Sequence, residues 1–537
     1  MKQKLRKKGR RRKRYVWIIC AAVLAVALLL GWGIYFRDSV RIGDHVPARC
    51  ALVLTANERW ADVRKLPQWS YATEHYGRDL PWLARADAVS NPRVTILLSL
   101  IQDDLRLVVC GDEAADTATI CLVKLSRLGK FADFLARVFR KVRVESHDGV
   151  YVRRLGGSQP LYYTVLGRVL IGGRSPDDVV EAARLPDEET FVAPAAFVQM
   201  ERNDKEPWLA LYCNMENRAG TAEAAPLSSV YGILHIEKDM LQGRFEAPLR
   251  SEFRDHAAEL LEKMQPRTMR TSTRLPASFI AGVSVCGSVP FAEILESASR
   301  TFGAPQLRPR NWGTLAKEGR GAALAASCGA LLAEFVDALT NEATVALTNV
   351  DVYEIVPTPE LILFGEVKEG VQSGLLDRLE QTAQRAGDRG QQLQRKSLKG
   401  VQTAYLDLPE GRSLQLCMAS IGNMVVASTS EYALETFIDT SLGTAPSIGM
   451  TEPDLIAPEK GANMIALLNT QRLMETSENI FELLLEYDLL ADIDRETYDR
   501  EVAPMLGLAQ LFRTVSVSLF LDSASITAEV KVPYARM

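Results

Sequence analysis

The chain has little that would mark it as a metalloprotein or a hydrolase. Its five histidines (His45, His75, His147, His235, His256) form no H-x-x-x-H or H-E-x-x-H pattern and have no acid at ligand spacing, so a zinc centre has no support. A G-x-S-x-G elbow is absent. Ser284, within Gly282-Val283-Ser284-Val285-Cys286-Gly287, misses that pattern by one residue and lies in an alternating, strand-like run. Ser327-Cys328-Gly329 belongs to a run of small residues suited to close helix packing. Gly319-Arg320-Gly321 lacks the third glycine and the lysine of phosphate-binding loops, which argues against a nucleotide site. Acid groups such as Asp103-Asp104, Asp177-Asp178 and Asp187-Glu188-Glu189 occupy predicted turns and helix starts, where capping accounts for them. The sequence therefore names no catalytic residue, no metal ligand and no cofactor.

Cysteine is sparse, and no C-x-x-C occurs. Cys50, Cys110, Cys121, Cys213, Cys286, Cys328 and Cys417 mostly stand in apolar runs, where a thiol behaves as a small buried hydrophobe. Spacing allows a Cys110–Cys121 bridge across a predicted hairpin. No N-x-S/T acceptor is present, which favours a bacterial envelope over a eukaryotic surface.

Acid is missing from the first fourteen residues, which carry ten Lys or Arg. Without them the chain has 53 basic and 67 acidic residues, a balance of −14 that disfavours nucleic acid as a partner. Charge of either sign is missing from Tyr15 to Phe36, and 22 apolar residues at ~1.5 Å each cross a ~30 Å hydrocarbon core. Tyr15, Trp17, Trp32 and Tyr35 suit the headgroup regions, and the cations before them place the N-terminus in the cytoplasm. A cleaved signal peptide is the competing reading, but Gly31-Trp32-Gly33 is a poor cleavage context. The expectation is a single-pass anchor in the inner membrane, touching the bilayer through Tyr15 to Phe36, with an extracytoplasmic body.

After a stalk (37–45), the body shows two similar patterns. Val46-Pro47-Ala48 and Leu275-Pro276-Ala277 each open a strand. Gly149-Val150 and Gly400-Val401 each lead through a strand, a glycine turn at Gly167 or Gly422, a second strand and a hydroxyl-capped helix at Ser175-Pro176 or Ser430-Glu431. Each pattern ends in a hairpin, Val230–Ala247 and Val515–Val532. These features predict an α+β protein: a transmembrane helix, then two tandem, duplicated lobes with mainly antiparallel sheets, at 46–250 and 275–533, joined by a connector at 251–274.

The span, the V/L-P-A opening and the glycine-turn-strand-cap pattern resemble an uncharacterised family of single-span, membrane-anchored bacterial envelope proteins. That resemblance implies no activity, and Ala427-Ser428-Thr429-Ser430 departs from its "S-P" cap. One local feature is a candidate contact surface. Trp60, Trp69, Tyr71, Tyr76 and Trp82 interleave with basic residues and could grip a membrane surface, a glycan or a protein, or else fill the core beneath the first sheet. The function expected is a binding or scaffolding module for another envelope protein or glycan. Its rivals are a tethered hydrolase of an envelope polymer or peptide and a carrier of an apolar ligand between the lobes.

Overall fold

The computed structural model describes residues 40–56, 101–110, 118–138, 143–155, 161–203, 208–215, 227–237, 240–301, 322–353, 356–368, 371, 374–378, 380–381, 393–406, 415–456, 461–486, 495–503, 507 and 511–534. These residues divide into two compact units, one built from the chain before Glu223 and the other chiefly from Glu223–Met537.

In the first unit, strands β1 (Cys50–Ala56), β2 (Ile101–Cys110) and β3 (Ala118–Leu125) precede helix α1 (Arg127–Val138). Strands β4 (Arg143–His147), β5 (Val150–Leu155), β6 (Leu161–Leu166) and β7 (Val169–Gly173) then lead to α2 (Pro176–Ala183) and β8 (Leu209–Asn214). Antiparallel pairing gives the order β8-β1-β2-β3-β7-β6-β5-β4.

The second unit contains the hairpin β9 (Ser229–Glu237) and β10 (Met240–Pro248), helix α3 (Ser251–Lys263), β11 (Ala281–Cys286), α4 (Phe291–Thr301) and α5 (Ala322–Ala338). It continues with β12 (Leu339–Tyr353), β13 (Val356–Val367), β14 (Leu393–Leu398), β15 (Val401–Leu406), β16 (Leu416–Ile421), β17 (Met424–Ser428) and α6 (Glu431–Ser441). Strand β18 (Met464–Asn469), helix α7 (Thr470–Glu486) and the hairpin β19 (Thr514–Leu521) and β20 (Ser525–Pro533) complete it. Its pairing contains β18-β11-β12-β13-β17-β16-β15-β14, the strand order of the first unit over again.

The agreement extends to single bonds. Pro47 bridges Thr190, flanked by Ala48 N–H donating to Glu189 O (2.8 Å) and Phe191 N–H to Val46 O (2.7 Å). Pro276 bridges Ser447 in the same way, with Ala277 N–H to Pro446 O (3.1 Å) and Ile448 N–H to Leu275 O (2.9 Å).

One expectation is corrected here, and another falls outside the described residues. Lobes with sheets of their own were predicted, whereas all 20 strands belong to one large antiparallel sheet. The end hairpin assigned to the first lobe shows one misplacement, for it belongs to the second unit. A hairpin has an open edge of unpaired N–H and C=O groups, and β10 satisfies its edge along nine residues of β20, from Met240↔Pro533 to Pro248↔Ser525. Alternation identifies a strand and its buried face but carries no record of its partner. A transmembrane helix was the other expectation. Among the described residues no helix is long and apolar enough to cross a membrane, and Tyr15 to Phe36 lie outside them.

Both faces of β15, β16 and β17 are covered. Ala404, Leu406, Met418, Val425 and Ala427 pack with Leu260, Phe291, Leu331 and Phe335 of α3, α4 and α5. The alternate residues Tyr405, Cys417, Ala419, Met424 and Val426 pack with Leu434, Phe437 and Ile438 of α6. Strand β17 is consequently buried at every position, which is why its sequence MVVAS runs apolar without alternating.

Candidate functional site

Strands β4 and β5 are joined by Asp148-Gly149, both with positive φ (47° and 81°), as a two-residue hairpin turn that follows the sheet's twist demands. Glycine at the second position meets that demand without steric cost. Helix α2 faces this turn. Ser175 Oγ accepts from Asp177 N–H (3.2 Å), Pro176 occupies the first helical position, and Val179, Val180 and Ala182 are the buried side of the helix. His45 is also buried and its Nδ1 hydrogen-bonds Ala182 O (2.9 Å), holding the end of α2.

Between turn and helix lies an open groove of about 600 Å³, lined by His147, Asp148, Asp177, Val180, Glu181 and Arg184. Arg49, just before β1, forms an ion pair with Glu181 at its margin. Neither Asp148 nor Arg184 makes an ion pair within 4.0 Å among the described residues. A second concavity of about 390 Å³, with an apolar lining of Val144, Val150, Val165 and Leu166, also meets Gly149 and Arg153. Arg153 pairs with Asp133 of α1 at 3.2 Å, both side chains being some nineteen-twentieths buried, and its guanidinium lies 5.4 Å from the Tyr163 ring.

The matching place in the second unit is built differently. Lys399-Gly400 repeats the turn, with φ of 51° and 82°. Lys399 Nζ reaches Glu435 at 2.8 Å and Asp439 at 2.6 Å, both on α6. Asp439 also accepts from Thr444 Oγ1 (3.1 Å). The hydrogen bond to Asp439 is the main cause that holds the Lys399 ammonium above its usual range, and it holds Asp439 below its own. Counted from the helix caps Ser175 and Ser430, Arg184 stands where Asp439 does and Val180 where Glu435 does. The turn-to-helix charges are therefore exchanged, lysine to acid in one unit and aspartate facing arginine in the other.

The remaining polar groups are spent on packing. Ser284 Oγ and Thr344 Oγ1 hydrogen-bond across β11 and β12 (2.7 Å), Thr344 Oγ1 donates to Thr271 Oγ1 (2.7 Å), and Thr271 O–H (2.7 Å) and N–H (2.5 Å) donate to Glu342 Oε1. All four residues are buried. Burial pushes the Glu342 carboxyl up, against the hydrogen bonds from Thr271, which lower it. Cys286 donates to Ala462 O (3.1 Å), and burial raises its thiol to about 11. Asp337 is also pushed up by burial, with Lys368 opposing. Neither acid lines either concavity. Among the described residues no group of three His, Cys, Asp or Glu is placed to hold a metal ion.

The sequence-proposed contact residues Trp60, Trp69, Tyr71, Tyr76 and Trp82 lie outside the described residues. Ser327 and Cys328 fall on α5. The groove residues carry no mark of a site in the sequence, because Asp177 reads as a helix-start acid and Asp148 as a turn former. The available signal was the charge exchange at aligned positions, Asp148 against Lys399 and Arg184 against Asp439.

No family model matches the chain, and no curated protein matches it. Among solved structures it is similar to TP0453 in three crystal forms. Form I is 10% identical over 40% of this chain and 80% of TP0453, with a TM-score of 0.26. Form IV is 8% identical over 40% and 83% (TM-score 0.26), and form III 8% identical over 42% and 89% (TM-score 0.26). Likeness of that degree carries nothing about fold or function to this chain.

Proposed function

We propose that this chain is a membrane-anchored, extracytoplasmic binding protein whose first unit takes up a basic segment of another envelope protein in the groove between the Asp148-Gly149 turn and α2. The observation that carries the reading is the contrast between the units. The second unit fills its turn-to-helix gap with its own ammonium, Lys399 between Glu435 and Asp439, while the first leaves a groove of about 600 Å³ at the same place. Three acids line that groove against one arginine and a histidine, and since Arg49 already pairs with Glu181 at the margin, Asp148 and Asp177 are the acids that a lysine or arginine from outside would meet. The exported region's balance of 53 basic to 67 acidic residues favours the same sign of partner. Anchoring rests on the uncharged run Tyr15 to Phe36 behind ten cations.

A binding role is favoured over hydrolysis by the state of Ser284, the candidate nearest to a nucleophile elbow, and of the thiol two residues on. Ser284 is locked in a hydroxyl chain and the Cys286 thiol is both bonded and hard to ionise, whereas nucleophilic activation needs an adjacent base or a lowered pKa. The test is capture of partners by the full chain in detergent, with Asp177→Lys/Glu181→Lys beside the wild type. A basic partner retained by the wild type and lost from the variant at unchanged melting temperature supports the reading. Equal capture by both would end it.

A further inference from the structure

Strand β1 begins at Cys50, and the register of β1 on β2 sets Cys50 directly opposite Cys110. The pairing shifts between Cys50 and Leu52, so Ala51 forms a bulge and Cys50 keeps its place across from Cys110. Directly opposed residues of an antiparallel pair have Cα atoms ~4.5–5.5 Å apart, inside the ~4.4–6.8 Å window that a disulfide spans. Both side chains are buried, at 0% and 2% exposure. The bridge that spacing allowed, Cys110 to Cys121, does not fit this register. Cys110 faces Ala118 while Cys121 faces Leu107, three residues away on β2 and on the other face of the sheet.

We infer that Cys50 and Cys110 are a disulfide-forming pair, oxidised as the exported chain folds, and that the bridge braces the sheet beneath α2 and its groove. The thiol pair stands near the helix: beyond burial, which raises the Cys110 thiol most, Arg49 favours its ionisation and Glu181 and Asp178 oppose it. In bond terms, the two thiols give up two protons and two electrons to an external disulfide, such as oxidised glutathione or a thiol oxidoreductase. One S–S bond forms between Cys50 and Cys110, and the oxidant's S–S bond is replaced by two thiols after a mixed disulfide on one of the pair.

Timing follows from the environment. In the folded chain burial raises Cys50 to about 12 and Cys110 to about 11, leaving almost no thiolate to attack a disulfide at neutral pH. Oxidation therefore belongs to the unfolded or partly folded chain, and the finished bond is shielded from exchange. The second unit has no such pair, since Phe279 and Thr348 occupy the corresponding places beside the Ile280 N–H to Leu347 O bond.

The experiment uses the full chain, refolded from denaturant in detergent with a glutathione redox buffer and then alkylated after renewed denaturation. Six of its eight cysteines should take label, and the digest should contain a linked pair of Cys50 and Cys110 peptides that reduction separates. Because Leu107–Lys124 also holds Cys121, Cys121→Ser should keep the link and Cys110→Ser should lose it. Labelling of both Cys50 and Cys110, or a bond from Cys110 to any other cysteine, overturns the inference. In the cell the bond rests on the extracytoplasmic location proposed above. A chain that forms it on refolding but is trapped with both thiols free in cells would overturn that location and leave the pairing standing.

Discussion

Asp148-Gly149 and Lys399-Gly400 are the same turn in backbone terms, with φ of 47° and 81° against 51° and 82°, yet the side chains make them different devices. Lys399 ties its turn to α6, while Asp148 leaves a groove before α2. A parallel exchange occurs on the strands either side. Arg153 stands opposite Val144 and forms a buried pair with Asp133, whereas in the second unit the arginine has crossed to β14. Arg395 there faces the fully buried Ala404 and pairs with Asp377 and Glu380 in solvent. One backbone frame thus supports a buried ion pair and an open groove in one unit, a solvated ion pair and a closed gap in the other. Hydrogen-bond register fixes the frame, and a few charges decide what it presents.

The largest expected effect breaks the buried half of this comparison. Arg153→Ala breaks a buried ion pair and should cost about 3–5 kcal/mol in urea unfolding, whereas Arg395→Ala, whose pair is solvated, should cost about 0–1 kcal/mol. Equal costs would mean that the two arginines do the same work.

Next comes a pH effect confined to the second unit. Burial holds the Glu342 carboxyl above its ordinary range; Glu366 and Cys286 lie on its side of the sheet, and Thr271 and Arg270 donate to it. The folded chain keeps this proton at a pH where the unfolded chain, at ~4.3, has released it. Stability from this group is present below the unfolded value and lost as pH rises through the folded one. Glu342→Gln should flatten that fall in unfolding free energy, measured at steps above pH 4. An unchanged slope would remove Glu342 as its source.

A smaller effect sharpens the match itself. Alanine at Gly149 would meet only the tip of Arg184, at 3.6 Å, and at Gly400 nothing within 4 Å, so both substitutions carry the positive-φ penalty alone. Each should cost about 1–2 kcal/mol, and the two losses should agree. Smallest is Lys399→Met, which should leave the global transition in place and raise amide exchange only around Lys399-Gly400, because Lys399 is exposed and its partners are only half-buried.

Much of the frame was legible in the sequence. The V/L-P-A openings, the aligned glycines and the hydroxyl caps each reflect a local backbone requirement, so their recurrence pointed to recurring local structure: the bridges at Pro47 and Pro276, the φ of 56° shared by Gly167 and Gly422, the caps at Ser175 and Ser430. Strand partnership was not legible. The pairing of β10 with β20 joins residues about 285 apart, and no local pattern encodes it. The groove was hidden for a related reason: each of its acids has a local explanation, and only the placing of α2 over the turn brings them together. The pairing of Cys50 with Cys110 likewise depends on register across 60 residues of chain.

The comparison is tested most directly by placing a photo-crosslinking amino acid at Asp177, and separately at Tyr432, the corresponding position after the Ser430 cap, in the full chain expressed in intact cells. Tyr432 is exposed, so the control is as accessible to solvent as the groove. A partner adduct at 177, absent at 432 and lost when Glu181 is changed to Lys, is the predicted result. Adducts of equal yield at both positions, or none at 177, would contradict the assignment of the first unit's groove as the binding surface.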